Sequence, residues 1–207
     1  MTRKSLYAIL TTALLLTLIT VNSCSTRKTG SDQLAPETEQ HVIRKGKAIA
    51  SGFVKTLKEV VKTTIDTAGV EAAITTCNKL ALPLTDRVAG LAGEGITISR
   101  ITDKPRNPVN KASDNDLPIL EQFRNQWNND SLPPSPVVTF DVNNGDTLYH
   151  YYQPMKMEAL CLLCHGTTET LAPGITQVID SLYPEDQATG YHTGDFRGAI
   201  RIDIEEL

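Results

Sequence analysis

The sequence predicts an α+β domain: helices first, then an antiparallel sheet of about four or five strands with helices on one side. Three observations carry that expectation. Before Gly69, the apolar residues Val42, Ile43, Ile49, Phe53, Leu57, Val60, Val61 and Ile65 recur mostly at steps of three and four, the period of an amphipathic helix. After Gly93 and Gly95 the period changes, and Ile96, Ile98 and Arg100 interleave with Thr97, Ser99 and Ile101, which suits a strand. Finally, Asn143-Asn144-Gly145-Asp146 separates the strand-like runs Val137–Val142 and Thr147–Tyr152. Asn and Gly accept the positive φ that a hairpin turn needs.

Each element has its own justification. The first helix is expected from Glu37 to about Thr67, with Gly69 as its stop. A second starts at Val70 and carries Ile74, Cys77 and Leu80; Cys77 lies three residues after Ile74 and so on the apolar face. Pro83 is expected to end or kink that helix, because it lacks an N–H and clashes with the preceding turn. A further short helical stretch then runs to Leu91. Residues 103–115, with two prolines and several asparagines, read as a structured loop. A helix follows to Trp127, with Leu120, Phe123 and Trp127 on one face, and Pro133, Pro134 and Pro136 break the chain. Residues 158–165 and 175–182 read as short helices, and the alternation of Arg197–Ile204 as the last strand.

Composition narrows the function classes. Of 207 residues, 40% are hydrophobic and 21% charged, the balance of a folded globular chain rather than a disordered one. There are 20 Lys+Arg against 24 Asp+Glu and no long basic run, which argues against nucleic acid as a partner. Aromatic residues are only 5%, so the core must be filled by aliphatic side chains or by something that is not an amino acid. Four cysteines are too few for a disulfide scaffold at this length.

The N-terminus reads as an address. Arg3 and Lys4 precede an apolar run from Ala8 to Val21, shorter than the ~20 residues of a membrane span and laid out like a secretory signal. Val21-Asn22-Ser23-Cys24 resembles the lipobox of bacterial lipoproteins, in which the cysteine is acylated and becomes the new N-terminus. Residues 1–23 are therefore expected to be a lipoprotein signal peptide, 24–38 a flexible polar tether, and 39–207 the folded domain. Lipid on Cys24 would hold that domain at a membrane of the cell envelope, facing the periplasm or the cell surface.

Cys161-Leu162-Leu163-Cys164-His165 is the c-type haem attachment motif. Two thiols three apart can each carry one vinyl group of a single haem, and the adjacent imidazole is placed for the iron. A zinc site would need a second ligand pair, and a thioredoxin-like motif would need a βαβ context. With Cys24 assigned to lipid and Cys161 and Cys164 to haem, Cys77 is left over. It is either a small buried hydrophobe or a second axial ligand as a thiolate. Met155, Met157, His192, His150 and His41 compete for the same position, as does an open site.

Beyond this motif the chain has Ser99-Arg100, Arg106-Asn107-Pro108-Val109-Asn110, Tyr183–Tyr191 (YPEDQATGY) and Gly194–Ala199 (GDFRGA). In this order they resemble a family of exported bacterial c-type haem domains of formally unknown function, found alone and as sensor modules. The resemblance covers about residues 40–207. It implies a PAS-like fold with long N-terminal helices and one covalent haem c, and it points to Cys77 as the axial ligand opposite His165. Redox or gas sensing is what the family is proposed to do; a plain electron carrier with Met or His as sixth ligand is the alternative.

Arg100, Arg106, Asn107 and Asn110 then read as donors for the haem propionates, against the simpler reading that Arg106 and the asparagines cap turns. Arg197 is expected either to serve the same role or, the favoured reading, to pair with Asp195 at the surface, and Tyr183 and Tyr191 to pack in the core or at the haem edge. An enzyme is not expected, because no acid–base motif for a distal pocket is visible. The output is expected to pass to a signalling or redox partner protein.

Overall fold

The computed structural model describes residues 33–129, 134–205 and 207. The proposed signal peptide and Cys24 lie outside the described residues. Helix α1 spans Pro36–Ala68, about 50 Å at 1.5 Å per residue. Proline in its first turn, with Glu37 and Glu39 beside it, suits the missing N–H and the positive helix end. The helix thus begins within the segment expected to be tether. Val42, Gly46, Ala50 and Phe53 are its buried residues, four, four and three apart, so one face meets the sheet. Gly46 is required there: a Cβ would come within 2.3 Å of the Tyr151 ring.

Helix α2, Val70–Ala92, runs unbroken through Pro83, which corrects the expected break. Proline removes only the bond to the Lys79 carbonyl, and packing against α1 and β1 holds the rest of the helix. Strand β1 is Ile96–Ile101, helix α3 is Leu117–Asn129, and strands β2 and β3 are Val137–Asn143 and Asp146–Lys156. Short helix α4 is Leu162–His165, α5 is Ile175–Leu182, and β4 is Phe196–Ile204. The hairpin turn falls where expected, with Asn144 at φ 54° and Gly145 at φ 97°.

The sheet has four strands among the described residues, within the expected number, in the order β1-β4-β3-β2, each pair antiparallel. On one face Ile96, Ile98, Tyr151, Ile200, Ile202 and Ile204 pack against Val42, Ala50 and Phe53 of α1 and Ala89 of α2. Full burial of each such large side chain contributes about 1.5–3 kcal/mol. The other face is covered as well, so the expectation of helices on one side is corrected. Ile101, Tyr152 and Ala199 pack with Leu120 and Phe123 of α3, and Trp127 pins that helix by donating from Nε1 to the Gly194 carbonyl at 2.9 Å. The strands foreshadow this, because Tyr151 and Tyr152 bury on opposite faces, as do Ala199 and Ile200.

Beyond α3 this second face carries a charged cluster. Arg201 reaches both Asp116 oxygens at 3.0 and 3.2 Å and Asp203 at 2.7 Å. His150 Nδ1 lies 2.7 Å from the other Asp203 oxygen. Tyr152 and Ser113 donate to Asp116. No helix of the described residues is long and apolar enough to cross a membrane.

Candidate functional site

Strand β3 slips register at Met155/Lys156 and leaves the sheet there, and a 3₁₀ turn at Ala159–Cys161 leads into α4. This exit carries Cys161, Cys164 and His165 to the end of the sheet that faces α1 and α2. A cavity of about 970 Å³ opens at that place, at the upper end of the range of small-molecule pockets. Val54, Leu57 and Val61 of α1, Ile74 and Ala81 of α2, and Ile200 of β4 supply apolar walls.

Every domain residue predicted for the site lines this one cavity: Cys77, Arg100, Arg106, Asn107, Asn110, Cys161, Cys164 and His165. Cys77, Cys161 and Cys164 are free thiols. Among the described residues no three His, Cys, Asp or Glu side chains converge closely enough to hold a metal ion by themselves. The cavity's volume and its mixture of apolar walls with thiol, imidazole and guanidinium groups suit a large prosthetic group. Burial raises the Cys77 thiol pKa, with Arg100 and Arg106 pulling it down. Burial likewise pushes Cys164 up to about 11.

His165 is prepared as a ligand. Its Nδ1 lies 2.6 Å from the Ala188 carbonyl, which can only accept, so the proton sits on Nδ1 and Nε2 keeps its lone pair. Burial, followed by the Arg106 and Arg197 charges, holds its pKa well below the ordinary imidazole value, so the ring is neutral.

The carbonyl is fixed in turn. Asp186 accepts from the Ala188 N–H at 3.0 Å and from Arg106 Nε and Nη2 at 3.1 Å each. Arg106 Nη2 also donates to the Cys164 carbonyl at 2.6 Å. Backbone bonds from Gly190 to Gly166 and from Tyr191 to His165 complete the seam. Asp186 thus ties the motif histidine to the motif cysteine through Arg106.

One expectation is corrected here, that for Arg197. Arg106 gives Nε and Nη2 to protein acceptors and so holds the motif, while it also lines the cavity. Arg197 does not pair with Asp195, whose carboxylate accepts from the His192 N–H. It donates instead to Thr102 and the Lys104 carbonyl and stacks on Tyr191, 5.4 Å from the ring centre. Asn107 caps the 3₁₀ turn Pro108–Asn110 by accepting from the Val109 N–H, as the simpler reading had it. Arg100 lines the cavity with no salt-bridge partner among the described residues.

The structure also sorts the rival ligands. His192 is exposed beside Asp195, His150 sits on the opposite face of the sheet with Asp203, and His41 is exposed on α1. None of the three lines the cavity, whereas Cys77, Met155 and Met157 do. Tyr183 and Tyr191 are buried, flanking the 186–188 clamp. Asp186 is the site residue that sequence reasoning assigned no role; its signal was its place in the Tyr183–Tyr191 motif.

A family model described as Tll0287-like matches residues 26–205. The chain is similar to the crystal structure of the cyanobacterial heme-protein Tll0287, with a TM-score of 0.52 and 21% identity over 84% of this chain and 98% of that one. At that identity the likeness concerns the fold, and with the long helices and antiparallel sheet it gives a PAS-like α+β architecture. A comparison with curated proteins gave no match.

Proposed function

The chain belongs to the Tll0287-like family, and from that premise we propose that it is a monohaem c-type protein, tethered to a membrane through Cys24, that responds to redox state or to a gas. One observation carries the reading: Cys161, Cys164, His165 and Cys77 line a single cavity of about 970 Å³. Cys161 and Cys164 would carry the vinyl groups as thioethers. His165, presenting Nε2, would be one axial ligand, and Cys77 on α2 the other. Arg100, with Asn107 and Asn110 at the same cavity, would hold the propionates. When bound, haem supplies a one-electron couple and a metal that can exchange a ligand for a diatomic gas.

The chain's own residues supply the rest. Burial, with the charges of Arg106 and Arg197, keeps the imidazole neutral, Asp186 and Arg106 keep it oriented, and much of the cavity wall is apolar. Cys77 is borne on a helix that lacks one backbone bond at Pro83, six residues further on, so α2 is the element whose position its release would change. A family match that begins at residue 26, just after Cys24, accords with a lipidated cysteine outside the domain. An enzymatic role is not part of the proposal.

The test is the intact mass of protein exported with haem-maturation machinery, before and after acid–organic extraction. Haem mass should persist on the chain and vanish in Cys161→Ala/Cys164→Ala. Extractable haem, or none, would sink the proposal. A second reading keeps a place because Met155 and Met157 line the same cavity: an electron carrier with methionine as sixth ligand.

A further inference from the structure

The mouth of the cavity is strongly cationic although the chain is not. Five lysines line it: Lys47, Lys55, Lys58, Lys62 and Lys156. The only acids among its lining are Glu59 and Glu158. The whole chain carries a formal charge of −4, so these cations are gathered against the average. Four of them follow from helix geometry. Lys47, Ser51, Lys55, Lys58 and Lys62 are spaced by four, four, three and four, which sets them along one stripe of α1. Lys156 comes from a separate element, the end of β3.

All five lysines are exposed, and their charges are available. Lys55–Glu59 at 3.9 Å, Lys58–Glu158 at 2.6 Å and Lys62–Asp66 are solvent-facing pairs, worth about 0–1 kcal/mol each, so a partner's carboxylates can replace them. Lys47 and Lys156 have no ion pair among the described residues.

We infer that this lysine-rimmed mouth is the docking surface for an acidic protein that exchanges an electron with the group in the cavity. The inference rests on the haem reading above. Charges concentrated at a cleft steer an opposite charge to it. With a screening length of about 10 Å at 0.1 M salt, an approaching protein feels the rim rather than the whole chain. The rim alternates lysines with Glu59 and Glu158 and encloses a cavity, a pattern that suits the mixed surface of a protein better than a uniform layer of anionic headgroups. The exchange is one electron, lost by one partner and gained by the other, with no bond made or broken.

The test uses the full-length haem-loaded protein and a fluorescein-labelled polyglutamate peptide, read by anisotropy. Binding should be saturable and weaken steeply with salt. It should fall by at least about tenfold in Lys47→Glu/Lys55→Glu/Lys156→Glu and stay unchanged in Arg87→Glu/Lys111→Glu, two exposed cations away from the cavity. Oxidation of the reduced protein by ferricyanide should slow as salt rises. A rate that rises with salt, as the net negative chain alone dictates, overturns the inference. So does equal loss in both charge-reversal variants, or binding to phosphatidylglycerol vesicles without binding to the peptide. A protein purified without haem instead fails the parent reading, and peptide binding to that apoprotein still reports on the rim.

Discussion

The two faces of the sheet treat charge in opposite ways. On the α3 face Asp116, which is 2% exposed, receives Arg201, Tyr152 and Ser113, while Asp203 joins Arg201 to His150. Each ionised group there is answered by a protein partner, as buried charge requires. On the α1/α2 face Arg100, three free thiols and a neutral imidazole line a wide cavity, while Arg106 and Arg197 donate to protein acceptors at its edge. The same strands build both faces, Arg100 beside Ile101 and Gln153 beside Tyr152. A network whose charges all meet protein partners, with only Arg201 Nε left buried without an acceptor among the described residues, stabilises the sheet, whereas donors left facing a cavity mark the place where something else binds.

The comparison can be broken most forcefully at Asp116. Asp116→Ala takes from Arg201 one of its two carboxylate partners, leaves Tyr152 and Ser113 without their acceptor, and should lower unfolding stability by about 3–5 kcal/mol in denaturant titrations, without altering the haem spectrum of the protein that remains folded. A spectral change would mean that the two faces are not separable. Next comes Arg106→Gln, which removes a charged hydrogen-bonding hub and should cost about 1.5–3 kcal/mol. Unlike Asp116→Ala, it should also shift the absorption bands, because the Ala188 carbonyl that orients His165 loses its support. Asp186→Asn should reproduce the shift in weaker form.

A smaller effect concerns acid. Hydrogen bonds from Ser113 and Arg201 hold the Asp116 carboxyl below its ordinary pKa, and His150 and Arg201 do the same for Asp203, each against the opposing pull of burial. Their stabilisation is therefore complete above about pH 4, the unfolded carboxylate value, and is lost as pH falls through the lower folded values. Thermal melts should decline steeply below about pH 4, and Asp116→Asn should flatten that decline. The smallest effect sharpens the contrast from the other side. Lys55→Ala should change stability by less than about 1 kcal/mol, yet weaken binding of the polyglutamate peptide at the cavity mouth.

What could be read in the sequence was local. The repeat from Val42 to Ile65 and the Asn144-Gly145 turn each encode their element within a few residues, and the Cys161–His165 motif carries the haem c proposal by residue type and spacing. What could not be read depends on distant partners. Pro83 continues its helix because α1 and β1 pack on α2. Arg106 meets Asp186 eighty positions away, and Arg197 turns from neighbouring Asp195 to Tyr191 and Thr102. The lysines at 47, 55, 58 and 62 are visible as a stripe, but as sequence they read as an ordinary solvated helix face until the cavity beside them is seen.

The most direct test of the account is the absorption spectrum of the haem-loaded protein and of Cys77→Ala, each oxidised and then reduced. The account predicts a ferric spectrum of the thiolate–imidazole type that is lost in Cys77→Ala, while the covalent attachment remains. Identical spectra for the two proteins in both oxidation states would contradict it, and would pass the sixth position to Met155 or Met157.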